Sequence, residues 1–545
     1  MGGPPHAHQL LEPLLALCTI DETTVRVQAV DAINTLGKQL APEQILQHLA
    51  PRVLELFESA EWFTPRVSAC GLVALAYSGC KGSKKDATTT YSSGEKEKTY
   101  RAEDLARELA EAYRKQFSDT EPMVRRSAAI KLADASLAFG EEVTKTELVS
   151  IFCRLVDESE QESIRVNALK SAATIFRVAS LTDVEAAAGE KYLACASDKS
   201  WRVRVAVSES LSAVAAARRS AKGGADEAEV ELCQTAFLQA LVDHEAEVRH
   251  ATAAQSAAAA SVLGPQFTVD HLVPEVRKLV HDDGVANRVD LAGVLVEMAG
   301  PIGMPLAREV FLLPGSSGEE SLSLLQSLMN DPNTNLRLAV IGKLVALIDV
   351  LTIPQAGDAL EIIQTLIDDK NWRIRHAALK LLPTLASHMA VDDFTNTFIQ
   401  TAFKSRAEDN CALIRNDWIL CCKDIGAVYG SEWIQTHVLP TLNTLTEMKN
   451  YQFKSVFLHG LAELGGHGLA EGMLPSALSM VEDRVPNLRL MAAQTLGVVA
   501  LGTAGQAWVP ADVVKDKVAP VLGKLAEDTD VDVREMASAA LDRLP

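Results

Sequence analysis

The sequence lacks the signals that mark exported and membrane proteins. No stretch reaches the ~18 uninterrupted apolar residues that a bilayer-crossing helix needs. The first residues, MGGPPHAHQLLEPLLAL, contain no basic segment followed by a long apolar stretch. Asn-x-Ser/Thr acceptor motifs are also absent. We therefore expect a soluble intracellular protein, located in the cytoplasm, with a nuclear pool also compatible.

Paired cysteines and catalytic motifs are missing too. The nine cysteines include no C-x-x-C pair, so neither a disulfide framework nor a zinc ribbon is indicated. The metalloprotease, P-loop and nucleophile-elbow motifs do not occur. The HAH segment at His6 and His8 is expected to be a solvated terminus, and the glycines of residues 465–472 a turn between repeats. We expect no enzyme activity, no cofactor and no metal.

Basic residues are outnumbered. The 52 Lys and Arg against 72 Asp and Glu give a net charge of -20. Nucleic-acid phosphates and anionic membranes both require clustered cations. The composition therefore argues against nucleic-acid and membrane partners.

Aromatic residues are scarce, and their scarcity indicates the fold. They make up 5% of a chain that is 48% hydrophobic, so Ala, Leu and Val supply most of the apolar surface. Such residues suit many thin helix-on-helix layers better than large sheets.

A Val, Ile or Leu followed by Arg recurs down the whole chain, soon after an acidic residue. From Arg26 to Arg534 the twelve intervals average about 42 residues, which matches HEAT and armadillo repeats. We therefore predict an all-α superhelix, a HEAT-repeat solenoid of about thirteen helical hairpins. The phase-marking residues are Arg26, Arg66, Arg125, Arg165, Arg204, Arg249, Arg288, Arg337, Arg375, Arg415, Lys454, Arg489 and Arg534.

An Asp lies six residues before the Arg in nine units. We expect this Asp to cap the second helix of the hairpin, and the Arg to bond a carboxylate or a free carbonyl in its own or the adjacent turn. The predicted structural ladder comprises Asp119, Arg125, Arg204, Asp243, Arg249, Asp331, Arg337, Asp369, Arg375, Asp409, Arg415, Asp483, Asp528 and Arg534.

Two segments depart from the period. Residues 79–101 are rich in Gly, Ser, Thr and Lys, and we predict a disordered inserted loop there. A second loop is predicted near residues 313–320. One solenoid then spans 1–545, with N-terminal repeats in 1–290, middle repeats in 291–355 and five C-terminal repeats in 356–545.

Three tryptophans stand in the polar turns. Trp201 and Trp372 occur in the near copies DKSWRVR and DKNWRIR, and Trp62 lies in EWFTPR. Each could cover the small core of its own hairpin. Because Trp and Arg are enriched at the energetic centres of protein interfaces, the repeated W-R-x-R instead favours a binding ridge formed by the turns.

The segments EWFTPRVSACGL, PMVRRSAAIKL, DKSWRVR, EAEVR, DKNWRIR and VDVRE, in this order, resemble the scaffold A subunits (65 kDa regulatory subunits) of protein phosphatase type 2A. The resemblance extends over essentially the whole chain. It implies a non-catalytic scaffold that holds the catalytic subunit on its C-terminal five repeats and an interchangeable regulatory B subunit on its N-terminal repeats. The resulting assemblies would be heterodimers and heterotrimers rather than homo-oligomers.

The resemblance also implies which residues contact each partner. For the catalytic subunit they are Trp372, Arg373, Tyr451, Arg489, Val531 and Val533. For the regulatory subunit they are Glu61, Trp62, Met123, Arg126, Asp198, Trp201, Arg202 and Glu247. The chain begins with a segment that resembles the third repeat of the family, so we expect the first two repeats to be absent, most simply through a misplaced start of the gene model.

Two other functions remain open from the sequence. Another HEAT or armadillo solenoid, such as a nuclear transport receptor, would bind basic cargo on an acidic surface. An enzyme with an unrecognised site belongs to a different class, and hydrolase activity of the pure protein would reveal it.

Overall fold

The computed structural model describes residues 4–84, 86–93, 96–179, 185–221, 227–281, 288–313, 322–350, 357–502 and 507–544. These residues form two compact units, Met1–Asn287 and Arg288–Pro545. Helices account for nearly all of the regular structure in both. The predicted fold class, an all-α superhelix of helical hairpins, is confirmed, and thirteen second helices can be followed through the described part of the chain.

The first unit begins with five helices, and a two-stranded sheet follows them. The helices are α1 (Leu11–Leu17), α2 (Thr23–Gly37), α3 (Pro42–His48), α4 (Ala50–Glu58) and α5 (Phe63–Gly82), and the strands are β1 (Thr88–Ser93) and β2 (Lys96–Arg101). The remaining helices are α6 (Ala102–Gln116), α7 (Pro122–Ile130), α8 (Leu132–Val143), α9 (Val149–Leu155), α10 (Glu162–Lys170), α11 (Ala172–Ala179), α12 (Glu185–Ala194), α13 (Trp201–Ala221), α14 (Glu227–Leu241), α15 (Ala246–Ala254), α16 (Ser256–Leu263), α17 (Pro265–Phe267) and α18 (Val273–His281).

The second unit is built in the same way. Its helices are α19 (Arg288–Glu297), α20 (Ala299–Ile302), α21 (Leu306–Leu312), α22 (Leu324–Met329), α23 (Thr334–Val350), α24 (Gly357–Ile367), α25 (Trp372–His388), α26 (Val391–Phe394), α27 (Ala412–Tyr429), α28 (Ser431–His437), α29 (Leu439–Thr446), α30 (Tyr451–Leu464), α31 (Ala470–Ser479), α32 (Pro486–Leu501), α33 (Ala511–Val513), α34 (Ala519–Leu525) and α35 (Val531–Leu541). Short 3-10 or π segments extend several helices, at Pro4–Leu10, Thr144–Leu148, Cys195–Ser197, Thr268–Leu272, Thr395–Phe403, Lys404–Glu408, Gly465–His467, Met480–Glu482 and Val514–Val518.

The core lies between the helices of each hairpin and of its neighbours. Two positions of the second helix supply it: the apolar residue directly before the phase-marking Arg, and the Ala three residues after it. Ile374 and Ala378 of α25 are both fully buried. Seven hairpins have Ala at the second of these positions, and all seven alanines are buried: Ala29, Ala69, Ala128, Ala168, Ala378, Ala492 and Ala537. A larger side chain there would force the helices apart.

Residues 79–101 correct one prediction. The described part of this segment ends α5 and then forms an antiparallel hairpin in which Thr88 pairs with Arg101 and Ser93 with Lys96. Thr89 and Tyr100 are buried, and β1 lies against α3 while β2 lies against α6. A polar composition predicted disorder, but packing on two helices stabilises the strands. The loop predicted near 313–320 lies outside the described residues, apart from Leu313.

The predicted Arg–Asp ladder is present, and it joins successive turns. Arg204 Nε lies 2.7 Å from Asp243 Oδ2 in the next turn, while its Nη1 donates to the carbonyl oxygen of Asp198 in its own turn at 2.8 Å. Arg375 repeats this geometry with Asp409 and Asp369. Further rungs between neighbouring turns are Arg66–Asp119, Arg125–Glu160, Arg165–Asp198, Arg288–Asp331, Arg337–Asp369, Lys454–Asp483 and Arg489–Asp528.

The remaining predicted ladder residues bond within their own turns. Arg249, Arg415 and Arg534 donate to the carbonyl oxygens of Asp243, Asp409 and Asp528. The expected role of the Asp needs one correction. Its Oδ1 accepts the backbone N–H two residues on, as Asp243 does from Glu245 at 2.9 Å. The Asp therefore shapes the turn before the second helix and does not cap the helix itself.

The ladder alters the acidity of its carboxyl groups. Hydrogen bonds from Arg489 lower the pKa of Asp528 from its ordinary value of 3.8 to about 2. Burial alone would raise the pKa of Asp409, but hydrogen bonds from Arg375 and from the Cys411 backbone outweigh it, and the net pKa is lowered. The pKa values of Asp198, Asp243 and Asp483 are lowered by the same balance.

One prediction concerns the strength of a single rung. Arg204→Ala leaves the Asp243 carboxylate nearly buried without its cation, and we expect the free energy of unfolding to fall by about 3 kcal/mol. Lys199→Ala is the matched control in the same turn, since Lys199 and Glu158 are both largely exposed and such pairs contribute under about 1 kcal/mol. Urea unfolding followed by circular dichroism measures both, and equal losses would contradict a structural ladder.

A second prediction concerns pH. A carboxyl group whose pKa is lower in the folded state stabilises the fold fully above its unfolded pKa, and this contribution disappears as pH falls through the folded pKa. For Asp528 the window runs from 3.8 down to about 2. We expect Asp528→Asn to reduce the acid-induced loss of stability over this range, measured by urea unfolding at several pH values. Asp512→Asn, at an exposed position outside the ladder, is the matched control, and an equal effect of the two variants would contradict the prediction.

Candidate functional site

Most second helices leave two residues of their first turn outside the core. Counted back from the phase-marking residue, position -1 is buried in most described hairpins, with Val25 and Phe453 partly buried, whereas positions -2 and -3 open the helix at the turn. In α5 position -2, Thr64, is buried, and the exposed residue is Trp62, directly before the helix.

In the segment from Trp372 to Arg375, Trp372 and Arg373 are exposed and Ile374 is fully buried. The structure therefore presents a regular row of exposed turn residues, which we call the turn ridge of each unit.

In the second unit the ridge is apolar with a cation at one end. Trp372 is 41% exposed, and the guanidinium carbon of Arg373 lies 5.4 Å from the centre of its ring. Tyr451 and Val531 open later second helices in the same register and are also exposed. The turns of Trp372 and of the next hairpin are held together by the rung from Arg375 to Asp409.

Leu413 belongs to this ridge and was missed by sequence reasoning. It occupies position -2 before Arg415, is 43% exposed, and lies in the hairpin between those of Trp372 and Tyr451. The signal was present, because counting back from each Arg places Leu413 level with Arg373.

The first unit carries an equivalent ridge. Trp62, the residue before α5, is 62% exposed, and Met123 opens the next second helix. The guanidinium carbon of Arg202 lies 4.6 Å from the ring centre of Trp201, so the stack seen in the second unit is repeated. Glu61, Arg126, Arg202 and Glu247, also predicted to contact a regulatory subunit, are exposed in these turns and first helical turns.

The interpretation of Trp201 and Trp372 as covers of their own cores does not fit this geometry. The core position is filled by the -1 residue, Val203 in one case and Ile374 in the other, and both are fully buried. An Arg stacked on each Trp keeps the ring partly in solvent while limiting its freedom. Rigid aromatic surface beside a guanidinium is typical of binding hot spots.

Three predicted contact residues are not on the ridge. Asp198 is buried and paired with Arg165. Arg489 is bound to Asp528 through two nitrogens, at 2.7 Å each. Val533 occupies position -1 and is fully buried. The side chains of these three residues serve the ladder or the core, and their contact with a partner stays a prediction.

Nucleophilic chemistry finds little support among the buried thiols. Burial raises the pKa of Cys18 to about 11 and that of Cys80 to about 12, so both remain protonated at neutral pH. Within the described ranges, no group of three His, Cys, Asp or Glu side chains could hold a metal ion. No helix among the described residues has the length and apolar character to cross a membrane.

Known protein families match two segments of the chain. A family model described as "PPP2R1A-like HEAT repeat" matches residues 228–303, and a general HEAT repeat model matches residues 359–389. The first segment contains α15 and its ladder Arg249, and the second contains the Trp372 turn.

Curated relatives are regulatory A subunits of protein phosphatase 2A. The alpha isoform of the 65 kDa regulatory protein of this phosphatase from Arabidopsis thaliana is 35% identical over 150 residues, which covers 28% of this chain and 21% of the relative. Its counterpart from Schizosaccharomyces pombe is 30% identical over 208 residues, covering 38% and 32%. The matches thus span about a fifth to a third of the relatives' length, and they support the resemblance over part of the chain rather than over all of it.

A solved structure with a similar fold comes from a different functional class. Kap95p, in a structure describing its binding to RanGDP and nuclear import complex assembly, aligns over 99% of this chain and 66% of its own, with a TM-score of 0.56 and 14% identity. At this identity the likeness concerns the fold alone.

The two kinds of tryptophan in this protein give a direct test of the ridge. Trp418 is 1% exposed, and we expect Trp418→Ala to lower the free energy of unfolding by about 3–5 kcal/mol. Trp372→Ala removes an exposed side chain and should cost less than about 1 kcal/mol. Urea unfolding compares the two variants. A large loss from Trp372→Ala would restore the interpretation of this residue as a core cover.

Proposed function

We propose that this protein is a non-catalytic scaffold of protein phosphatase 2A. The ridge of the second unit would hold the catalytic subunit, and the ridge of the first unit an interchangeable regulatory B subunit. The observation that carries the proposal is the repeated Trp–Arg stack, held out of the core in each unit by the ladder. The partial similarity to A subunits of this phosphatase supports the same assignment.

The ridge of the second unit is suited to a partner surface on which an apolar side chain protrudes beside an acidic one. Trp372, Leu413 and Tyr451 are exposed apolar side chains in the first helical turn of three consecutive hairpins, Trp372 and Tyr451 at position -3 and Leu413 at position -2. Arg373 offers a guanidinium whose stacking on Trp372 restricts its motion. The contact would therefore combine desolvated aromatic area with an oriented charge, and its loss should be felt mostly in the dissociation rate.

Scaffolding would act through effective concentration. A substrate bound to the regulatory subunit is kept near the catalytic subunit, so their encounter becomes intramolecular. The scaffold supplies no catalytic group in this mechanism. We place the assembly in the cytoplasm, with a nuclear pool also allowed.

The competing candidate is a nuclear transport receptor. The net charge of -20 favours it, because an acidic solenoid attracts basic cargo. The sequence similarity favours the phosphatase scaffold, since the matches to its A subunits reach 35% identity whereas the match to Kap95p is at 14%.

Biolayer interferometry with purified phosphatase 2A catalytic subunit tests the proposal. We expect tight binding to the unmodified chain and a loss of about 2 kcal/mol or more in the Trp372→Ala, Arg373→Ala variant, because both members of the stack are removed. The matched control is Trp201→Ala, Arg202→Ala, which removes the same stack from the other ridge and should leave this binding unchanged.

Two results would contradict the proposal. Absence of binding by the unmodified chain is one. Salt-dependent binding of basic localisation peptides, in the absence of catalytic-subunit binding, is the other, and it would support the transport receptor instead.

A further inference from the structure

A preformed apolar groove crosses three neighbouring second helices of the first unit. It lies between α2, α5 and α7 and has a volume of ≈ 330 Å³. Val30 and Gly71 are among its lining residues, together with Val27, Met123 and Ile130, which are 50%, 52% and 48% exposed. Three aliphatic side chains left half in solvent around one groove form an unpartnered apolar surface.

The groove is held in shape by bonds between the helices that form it. Asn34 of α2 donates to the carbonyl oxygen of Gly71 at 3.1 Å, and Ser127 of α7 donates to that of Val67 at 3.0 Å. A Cβ at Gly71 would lie 2.7 Å from Val30 Cγ1, so the close approach of α2 and α5 depends on glycine. A surface fixed in advance loses little entropy when it binds.

The side chains that line the groove carry a net positive charge, whereas the whole chain is negative. Its lining includes Arg26, Arg126 and Lys131 against the single carboxylate of Asp31, in a chain with a net charge of -20. Lys131 also forms a solvent-exposed pair with Asp134 at 3.3 Å, just outside the lining, so Arg126 is the main cation offered at the groove. Arg126 is exposed and forms no ion pair with any residue that the structure describes. The groove therefore offers cations to an acidic partner.

Arg26 adds to the positive charge at the groove, because the next turn has no ladder Asp to pair with it. In most units the next turn supplies an Asp six residues before its own Arg, but here that position is Ala60. The Arg26 guanidinium donates instead to the carbonyl oxygens of Ile20 and Asp21, at 2.6 Å each, and to Thr23 Oγ1 at 3.0 Å. Its charge is thus not neutralised by a carboxylate of the ladder.

The secondary structure of the occupant follows from the lining. The groove is walled by helices whose backbone groups are bonded internally, so an extended peptide would leave its own N–H and C=O groups without partners. A helix satisfies these groups within itself and lays an apolar face into such a groove. Two interhelical spacings of about 8–10 Å make a groove of about 16–20 Å, which matches a helix of about 11–13 residues, or three turns.

We propose that this groove binds an acidic amphipathic α-helix of a partner protein. Aliphatic side chains spaced three and four residues apart would pack on Val27, Met123 and Ile130, and flanking Asp or Glu side chains would reach Arg126 and Lys131. The groove shares Met123 and Arg126 with the ridge assigned to the regulatory subunit, so the inference rests on that proposed function and deepens it by specifying the chemistry of the binding segment. A peptide assay without any phosphatase subunit tests it separately from binding of the catalytic subunit.

The probe is a fluorescein-labelled helical peptide of about 14 residues, hydrocarbon-stapled, with Leu at helical spacing and Glu on its flanks. A second peptide has Lys in place of every Glu. Fluorescence anisotropy with the full chain should show the acidic peptide binding about tenfold or more tightly than the basic one, with an affinity that falls as salt is added. Comparable affinities for the two peptides, or no binding of the acidic one, would overturn the proposal.

Variants locate the binding site. Ile130→Glu should weaken the acidic peptide by about tenfold or more, because a carboxylate enters the apolar lining. Arg126→Glu should shift the preference toward the basic peptide. The controls are Leu137→Glu, at an apolar position that is 56% exposed and outside the groove, and Lys170→Glu, at an exposed position of α10. A control that weakens binding as much as Ile130→Glu would refute this location, and circular dichroism confirms that each variant is folded.

Discussion

In most hairpins a single basic side chain, an Arg in every case but Lys454, bonds to the next turn and so joins two turns. Arg204 is an example. Its Nη1 donates to the carbonyl oxygen of Asp198 in its own turn, and its Nε and Nη2 donate to the two carboxylate oxygens of Asp243 in the next turn. Asp243 Oδ1 also accepts the backbone N–H of Glu245, which stabilises that turn. Because each repeat contacts only its neighbours, bonds between adjacent turns act together with core packing to keep the register of a long array. The fixed turn decides which side chains point outward, so the ridge that we assign to partner binding is a consequence of the ladder.

The ladder also explains how much the sequence could predict. Its residues must recur at fixed spacing to meet one another, so the period, the thirteen hairpins and the buried alanines were all visible in one chain. At Val533 the resemblance and the register of the repeat give different expectations. A resemblance placed it at a partner interface, whereas counting from Arg534 puts it at the buried position of its helix. Register within the repeat was therefore a better guide to exposure than residue type.

Features that arise from contacts between separate hairpins could not be predicted from the sequence. The strands Thr88–Ser93 and Lys96–Arg101 have a polar sequence without the alternation that marks a strand. They are stabilised by packing on α3 and α6, with Thr89 and Tyr100 buried. The groove has the same origin. Its lining comes from three hairpins, and its depth depends on how closely Gly71 lets α2 and α5 approach. Neither the repeat period nor a sequence motif indicates how closely two helices approach each other.

The rungs that lack a carboxylate show how the ladder and the binding surfaces are related. The turn after Arg26 has Ala60, and the turn after Arg415 has Met448, at the position of the missing Asp. Arg415 compensates by lying 5.9 Å from the Phe453 ring, so its charge is partly met by an aromatic face. Arg26 meets no such ring among the described residues and borders the groove instead. The missing carboxylate leaves Arg26 beside an exposed groove, whereas Arg415 is met within the stack. The rungs of Arg204 and Arg375 are complete and also lie beside exposed ridge residues, so a satisfied rung is compatible with a binding surface. The proposed acidic helix would bring carboxylates to this surface, where Arg126 and Lys131 line the same groove as Arg26.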